Sequence, residues 1–500
     1  MRILHVGWGF SPWRPGGLIA YAEDLMTMLA ERGHEVSYFL SGRHYPYVSG
    51  PRLKRWRRGR ITMHEVINPP VVAGLEAGTR DPGREIAEPQ MEAAFRRLLA
   101  KERPDVVHIQ ELVGLPSSLI DVAAASGVPS LMTLQDYFPL CSTLRLSDAD
   151  GRICTRREVG DDCVARNADA PADSRYLVAE TIQFELDRAR RLMRVSPETV
   201  SFIRPIVRRM VSGMVRATRA SGDAPTVSAQ RPPERARLGP AFQRRRDLNV
   251  ERLGRVDRLI AQSPRVAEVY RSLGVSGERM SSLPFTLRHI EWLRPRRLEA
   301  PPSPITFATL NGCASPTKGS QVVLEALRVL RAAGMEGSFR LLVYGYVHWT
   351  VREELVGYGG VALRGLYDRE ALDSLLDEVD VGIMPSIWEE AFGYTGTEMI
   401  AKGIPLIANP LGGIVEYALP GETAWLNRSC SGEGLAELMG ALIARPDDVV
   451  RMHRRVLAAR DRLVLPMNLH VEAIESIYRE LTDAPKPLVA TGPSSMALEP

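Results

Sequence analysis

Cysteine, lysine and long apolar runs are scarce in this chain of 500 residues. The 5 cysteines are odd in number and include no Cys-x-x-Cys pair, which favours a reducing compartment over a disulfide framework. No apolar run approaches the roughly 18 residues that a membrane-spanning helix needs. The first residues carry one basic side chain and then a strand-like run, a pattern unlike that of a signal peptide. We therefore expect a soluble, cytoplasmic protein.

Positive charge is concentrated in one part of the chain. The net charge is only +4, yet 17 arginines and 5 acidic residues lie between Arg188 and Arg255. This stretch belongs to a polar segment over residues 141–255, which we interpret as an insertion. It forms a solvated lid, docks on an anionic membrane, or meets a polyanionic acceptor. Aromatic residues are almost absent from it, so we expect no nucleic-acid partner.

The order of apolar runs and helical patterns predicts an α/β protein. Length and an apolar content of 45% allow two to four folding units. Strand-like runs alternate with helix-length segments, which is typical of doubly wound parallel sheets. The predicted strands cover residues 2–8, 34–40, 105–110, 129–136, 305–310, 339–345, 360–365, 381–386 and 405–410. Ligands of such sheets bind at the carboxyl ends of the strands, so two sheets joined by a linker predict a shared cleft.

The division of the chain follows from these patterns. We predict a first Rossmann-like half over residues 1–293, which carries the insertion. A linker rich in proline and charge covers residues 294–304. A second Rossmann-like half follows over residues 305–468, then a helix over 469–482 and a disordered tail over 483–500.

The most informative segment covers residues 385–413. A predicted strand ends there, an acidic loop follows, and a helix begins near Tyr394. Free N–H groups at Phe392, Gly393, Tyr394 and Thr395 would form an anion site suited to a diphosphate. Glu398, inside the helix, would accept hydrogen bonds from ribose hydroxyls, and Glu390, in the loop, would reach a sugar beyond the phosphates. The alternative is that both glutamates are solvated surface residues.

Two loops that follow strands add to this prediction. Lys318 lies in the strand-to-helix turn TLNGCASPTKGS, where its ammonium can face phosphates. The alternative is a surface lysine that only caps the loop. Gly16 and Gly17 precede the first helix, where paired glycines allow a ligand to approach the backbone closely. An ordinary turn would explain them equally simply.

The block PSIWEEAFGYTGTEM resembles that of retaining glycosyltransferases of family four, which have the GT-B fold of two Rossmann-like domains. The resemblance covers most of the chain outside the insertion and the tail. It implies that Glu390 holds hydroxyls of the transferred sugar, Glu398 the ribose and Lys318 the phosphates of a UDP- or GDP-sugar. It implies no metal and no cofactor beyond this co-substrate. The acceptor stays open between a glycan, a lipid-linked saccharide and a secondary metabolite.

Three departures from the family pattern concern the same cleft. Gly312 stands where the family usually has an arginine, so another group would have to help Lys318 with the leaving group. Gln110 and Gln135 stand where histidines are common, and glutamine cannot carry a proton. His108, Gln110 and Asp136 are possible contacts of the acceptor or the sugar, and a buried strand histidine is the alternative for His108.

Other functions remain open at this point. One is a catalytically silent binding protein, and others are a sugar-nucleotide epimerase or a phosphorylase on the same fold. The cysteines Cys141, Cys154 and Cys163 resemble a loop found in one branch of the family. Zinc would need a fourth ligand, but Arg166 follows Cys163 by three positions, so we expect thiols and no metal.

Overall fold

The computed structural model describes residues 1–193 and 232–483, except for residues 49, 73, 75, 76, 149 and 172. These residues form two α/β units, each built on its own sheet. The first sheet uses strands between residues 2 and 282, and the second uses strands between residues 305 and 426. The predicted α/β class with two doubly wound sheets is confirmed.

The first sheet has eight strands in the order β3-β4-β2-β1-β5-β6-β7-β8. All neighbours are parallel except β3 and β4, which form an antiparallel hairpin at one edge. The strands are β1 (Arg2–Gly7), β2 (Glu35–Ser41), β3 (Arg52–Arg58), β4 (Ile61–Ile67), β5 (Val106–Ile109), β6 (Ser130–Leu134), β7 (Arg258–Ala261) and β8 (Met280–Ser282). The central strands read as continuous apolar runs because helices cover both faces.

Eight helices accompany this sheet within the described residues. They are α1 (Gly17–Glu31), α2 (Pro82–Ile86), α3 (Pro89–Glu102), α4 (Leu119–Ala125), α5 (Asp161–Arg166), α6 (Arg175–Leu192), α7 (Pro232–Leu253) and α8 (Pro264–Ser272). Local sequence explains some of their starts. Ser263 caps α8 by accepting a hydrogen bond from the Val266 N–H, and Pro264 occupies the first turn, where its missing N–H costs nothing.

The second sheet has six parallel strands in the order β11-β10-β9-β12-β13-β14. They are β9 (Ile305–Leu310), β10 (Phe339–Tyr344), β11 (Val361–Gly365), β12 (Val381–Met384), β13 (Leu406–Ala408) and β14 (Ala424–Leu426). The helices that follow in the chain are α9 (Ser320–Ala332), α10 (Trp349–Val356), α11 (Leu372–Leu375), α12 (Tyr394–Lys402), α13 (Gly432–Ala444), α14 (Asp447–Leu463) and α15 (Met467–Asp483). Sequence patterns missed β7, β8, β14 and the β3–β4 hairpin.

In α7 the arginine-rich stretch is folded, and Arg245, Arg246 and Arg252 are buried, so the expected solvated lid is wrong for this helix. Arg245 pairs with Glu85, and its Nη2 donates to the Phe138 carbonyl over 2.7 Å. Arg252 donates to Asp121 over 2.7 Å. These arginines are buried because each guanidinium finds carboxylates and carbonyls on the first unit. The possible membrane segment at residues 202–217 lies outside the described residues.

The last helix returns to the first unit after the chain has completed the second. The Tyr478 hydroxyl on α15 lies 2.6 Å from His108 Nδ1 on β5, and His470 lies 2.8 Å from the Tyr21 hydroxyl on α1. Helix α15 ends at Asp483, and the predicted tail beyond it lies outside the described residues. None of the helices in the described ranges is both long and apolar enough to cross a membrane.

Candidate active site

Helix α12 begins directly behind the acidic loop that follows β12. Its N-cap, Gly393, has a left-handed φ of 78°, and no side chain caps the helix. The Gly396 N–H donates to the Gly393 carbonyl over 2.9 Å, which leaves the N–H groups of Tyr394 and Thr395 available to an anion. A Cβ at Gly393 would lie 2.7 Å from the Tyr417 hydroxyl oxygen. Glycine is required here both for its backbone conformation and for this close packing.

Glu390 and Lys318 meet at the centre of this site. Lys318 Nζ donates to Glu390 Oε1 over 2.5 Å, although 72 residues separate them. Glu390 is buried, and its Oε2 has no hydrogen-bond partner among the described residues. The Gly413 N–H donates to the Glu390 carbonyl over 2.6 Å, which fixes the backbone of the loop. An unpaired buried carboxylate oxygen is an acceptor suited to a ligand hydroxyl.

Arg145 reaches the same place from the loop after β6, and sequence reasoning missed it. Its side chain is buried and donates to Thr317 Oγ1 and, over 3.4 Å, to Ser315 Oγ, both next to Lys318. Its guanidinium carbon lies 5.5 Å from the Trp388 ring centroid, and Lys318 Nζ lies 5.1 Å from it. Burial lowers the pKa of Arg145 to about 10, while Glu390 opposes this effect, so the guanidinium stays charged at neutral pH.

Gly312 has a steric reason to be glycine. A Cβ at this position would lie 2.0 Å from Thr309 Oγ1 and 3.0 Å from Pro385 Cγ. No larger side chain fits without movement of β9 or the acidic loop. The structure therefore explains the missing arginine in this turn and shows a different arginine, Arg145, beside the turn.

Glu398 lies in α12, one turn beyond its start. Its Oε1 is 2.7 Å from His289 Nε2, while its buried Oε2 has no partner among the described residues. His289 belongs to a short 3₁₀ segment, Arg288–Trp292, in the stretch that joins the two units. No pattern in the sequence connects His289 with Glu398. One oxygen of Glu398 is thus positioned and the other is available to a hydroxyl.

Glu389, the neighbour of Glu390, has a different environment. Its Oε1 accepts a hydrogen bond from Arg265 Nη2 on α8 over 2.6 Å. This ion pair joins the two units, since α8 belongs to the first sheet and the acidic loop to the second. Glu389 is occupied by a protein partner, whereas Glu390 keeps one oxygen unpaired.

The glycine pair before α1 contacts the helix start of the other unit. A Cβ at Gly17 would lie 2.8 Å from Tyr394 Cδ2, and Gly16 has a φ of 127°. Tyr394 is the first residue of α12, and its buried hydroxyl has no partner among the described residues. The absence of a side chain at Gly17 therefore allows the two units to approach each other at the anion site.

His108 and Gln110 lie in a buried network of the first unit. Besides its bond to Tyr478, His108 packs against His5, with 5.1 Å between ring centroids. Burial, with smaller effects of His5 and His470, holds the pKa of His108 well below its usual value. The Gln110 amide contacts His5 Nδ1 over 3.0 Å, and its Oε1 accepts from Thr133 over 3.0 Å. The structure does not bring these two residues into the Glu390–Lys318 cluster.

Asp136 and Glu111 form a buried acidic pair after β6 and β5. Asp136 Oδ1 accepts from the Phe138 N–H over 2.7 Å, and Glu111 Oε1 accepts from the Trp8 N–H over 3.1 Å. The second oxygen of each has no partner among the described residues. Burial raises the pKa of Asp136 to about 7, and burial and then Asp136 raise that of Glu111 to about 8. Sequence reasoning missed Glu111.

Cys141, Cys154 and Cys163 are free thiols in the structure. Burial first, and then Cys141, raise the pKa of Cys163 to about 11. No group of three or more histidine, cysteine or acidic residues in the described ranges is arranged to hold a metal ion.

Two family models match this chain, one in each unit. A model described as "Glycosyl transferase 4-like domain" matches residues 16–205, and one described as "Glycosyl transferases group 1" matches residues 305–445. The amylovoran biosynthesis glycosyltransferase AmsK of Erwinia amylovora is 28% identical over 176 residues. That alignment covers 33% of this chain and 41% of AmsK, so the match spans less than half of that relative.

Solved structures show the same fold over nearly the whole chain. HepE of Anabaena, solved with UDP and glucose, is 13% identical with a TM-score of 0.55, and the match covers 95% of this chain and 99% of HepE. Sucrose-phosphate synthase of Thermosynechococcus elongatus is 16% identical with a TM-score of 0.56, covering 97% and 100%. With both domain models matched in order and the sheets arranged as above, this chain belongs to the GT-B glycosyltransferases of the family-four type.

Proposed function

We propose that the protein transfers a sugar from a nucleotide-diphosphate sugar to an acceptor, with retention at the anomeric carbon. The observation that carries this proposal is the group of unpaired buried oxygens around α12. Glu390 Oε2 and Glu398 Oε2 both lack partners among the described residues, beside a helix start without a side-chain cap. Carboxylate oxygens accept from sugar and ribose hydroxyls, and the helix start accepts an anion, so a donor of this class satisfies all three.

The charged groups define how the leaving group would be stabilised. Lys318 and Arg145 place two cations within 5.5 Å of the Trp388 ring centroid. A departing diphosphate gains negative charge as the bond to the sugar breaks, and fixed cations and helix N–H groups stabilise that charge without reorganising. Lys318 would exchange its bond to Glu390 for a phosphate oxygen, which frees Glu390 to orient the sugar. The scheme needs no metal and no other cofactor.

The donor is proposed to be a UDP-sugar, with a GDP-sugar as the alternative. HepE, which shares the fold, was solved with UDP and glucose, and this supports the first choice. The acceptor hydroxyl would attack from the face that the leaving group vacates. Glu111 and Asp136 lie on the first unit and have one unpaired buried oxygen each, so they are suited to hold acceptor hydroxyls.

Sugar transfer by the full chain tests this proposal. UDP- and GDP-sugars are offered with a panel of acceptors, nucleoside diphosphate release is measured, and the anomeric configuration is read by NMR. Glu390→Gln is expected to lower kcat by about 10²-fold or more, because it removes charge next to the developing oxocarbenium. Glu389→Gln is the matched control. Its kcat should fall less, since Glu389 pairs with Arg265. Equal transfer by wild type and Glu390→Gln would overturn the assignment of Glu390.

A further inference from the structure

A second cavity lies at the outer edge of the first unit. It encloses about 420 Å³ between the loop after β1, the hairpin strand β3 and helix α6. Three aromatic side chains, Phe10, Trp56 and Phe184, form its interior. Phe10 packs edge-on against the other two, with centroid distances of 5.0 Å to Trp56 and 6.0 Å to Phe184. We call it the basic-aromatic pocket.

Cations surround these aromatic rings. Five lysines and arginines line the pocket: Arg43, Lys54, Arg58, Arg188 and Arg191. Three of the five form ion pairs, Arg43 with Glu65 and Glu185, Arg58 with Glu23, and Arg188 with Glu185. In the described part of the chain, no ion pair involves Lys54 or Arg191. The pocket therefore combines an apolar interior with positive charge that the described carboxylates do not balance.

The pocket is built by regular elements and is not a chance gap between loops. Strand β3 alternates, so that Lys54, Trp56 and Arg58 face the pocket while Arg55 and Arg57 face the other side of the sheet. Helix α6 contributes Phe184, Arg188 and Arg191, which lie on one face of the helix at intervals of four and three residues. The Arg43 guanidinium carbon lies 5.5 Å from the centroid of Phe10 and joins the two walls.

The wall formed by the loop after β1 is continuous with the active site. This loop runs from Phe10 to Gly17, and Gly17 packs against Tyr394 at the start of α12. Arg14, in the middle of the loop, also pairs with Glu180 of α6 over 2.6 Å. A molecule in the basic-aromatic pocket would thus contact the loop that leads to Gly17 and the start of α12.

We propose that the basic-aromatic pocket binds an amphiphilic phosphate, a molecule with a phosphate group attached to an apolar chain. The aromatic interior buries the apolar part, and Lys54 and Arg191 bind the phosphate. Exposed apolar side chains continue from the pocket wall, since Leu192, which lines the pocket, is 76% exposed and the next residue, Met193, is 68% exposed. They extend the apolar surface along which a longer chain would lie. The idea that this ligand is the sugar acceptor rests on the proposed function. The binding of the ligand to the pocket does not.

Binding is tested on the full chain by isothermal titration calorimetry with octyl phosphate below its micellar concentration. Octyl phosphate is expected to bind at least tenfold more tightly than inorganic phosphate or octyltrimethylammonium. The double variant with Lys54→Gln and Arg191→Gln should bind octyl phosphate about tenfold more weakly, because two cations are lost. The matched control is Arg55→Gln with Arg57→Gln, which removes the same charge from the opposite face of β3 and should change affinity less than about twofold.

The proposal would be overturned if the two double variants lost equal affinity for octyl phosphate. It would also be overturned if inorganic phosphate bound as tightly as octyl phosphate. Flotation with vesicles of 30% phosphatidylglycerol in phosphatidylcholine distinguishes the sources of the ligand. Flotation that is lost in the Lys54/Arg191 variant indicates a bilayer lipid, and binding of octyl phosphate without flotation indicates a dispersed amphiphile. UDP affinity is measured in parallel, because a failure of the proposed function would appear there and leave the pocket's affinity unchanged.

Discussion

At Trp388, cations from two units of the molecule lie against one side chain. Lys318 comes from the turn after β9, and Arg145 from the loop after β6. Both act on Glu390, which Lys318 contacts directly and which stabilises the charge of Arg145. Two cations beside one ring make this place electrostatically suited to a doubly charged anion such as a diphosphate.

Replacing Arg145 tests its part in this arrangement. Arg145→Gln is expected to lower kcat/KM for the donor by about 10²-fold, and Arg145→Lys should restore part of the loss because it keeps the charge. The UDP dissociation constant should rise in the glutamine variant. Arg152→Gln, an exposed residue of the same loop, is the control and should behave as wild type. A donor KM and kcat unchanged in Arg145→Gln would remove Arg145 from the mechanism.

Glu111 makes stability depend on pH. Its folded pKa of about 8 exceeds its ordinary value of 4.5, so the folded state binds the proton more tightly. Burial therefore costs little below pH 4.5, and the cost grows as pH rises towards 8. Glutamine cannot ionise at this position. The free energy of unfolding of Glu111→Gln, relative to wild type, should therefore rise by about 3 kcal/mol from pH 5 to pH 8.5. Urea unfolding at both pH values measures this, with exposed Glu35→Gln as control. A pH-independent difference would contradict the burial effect.

At the scale of elements, helix α15 is anchored by buried polar contacts as well as apolar packing. The Tyr478 hydroxyl contacts His108 Nδ1, and His470 contacts the Tyr21 hydroxyl. All four side chains are buried, so loss of one partner leaves a buried polar atom of the other without this hydrogen bond. These contacts hold His108 Nδ1 within the first unit, away from the Glu390–Lys318 cluster.

Removing one hydroxyl from α15 measures this anchoring. Tyr478→Phe is expected to lower the free energy of unfolding by about 1 to 2 kcal/mol, because His108 Nδ1 loses its partner. Tyr47→Phe is the control, since that side chain is 80% exposed. Urea denaturation compares the two variants. A loss no larger for Tyr478→Phe than for Tyr47→Phe would show that the hydrogen bond is not a stabilising one.

Strands and helices were predictable where their pattern was local. The runs at β1, β9 and β10 are apolar on both faces, and α12 starts at the glycine that the loop requires. Strand β3 was not predictable because its sequence, RLKRWRR, carries charge at most positions. It is stabilised by pairing with β4 at a sheet edge, where exposed charges also prevent further strands from adding.

At the scale of the whole molecule, the two units are joined at the proposed donor site itself. Gly17 meets Tyr394, Arg265 pairs with Glu389, and Arg145 contacts the turn that carries Lys318. The same side chains that define the site therefore also set the distance between the units. Donor affinity and the fit of the two units should change together.

Gly17→Ala tests this coupling. A Cβ at Gly17 would lie 2.8 Å from the Tyr394 ring, so the units must separate slightly or the ring must move. We expect a donor KM about tenfold higher, because a shift of α12 misplaces the anion site. Gly359→Ala is the control, since a Cβ there meets nothing within 4 Å. Steady-state kinetics compare the two, and a normal KM in Gly17→Ala would separate the contact from donor binding.

The sequence by itself determined the α/β class, and it pointed to the candidate site residues that follow strands, Lys318, Glu390 and Glu398. Their identity is local information, since each lies in a turn or helix start whose pattern is legible in a short window. Only the tertiary structure decided which distant groups join them, because Arg145, His289 and Arg265 reach the site across the interface of two units. It also decided that Arg245 and Arg252 are buried, since the carboxylates that pair with them lie more than 100 residues away in the chain. No local pattern records such a contact, because it depends on how the units pack.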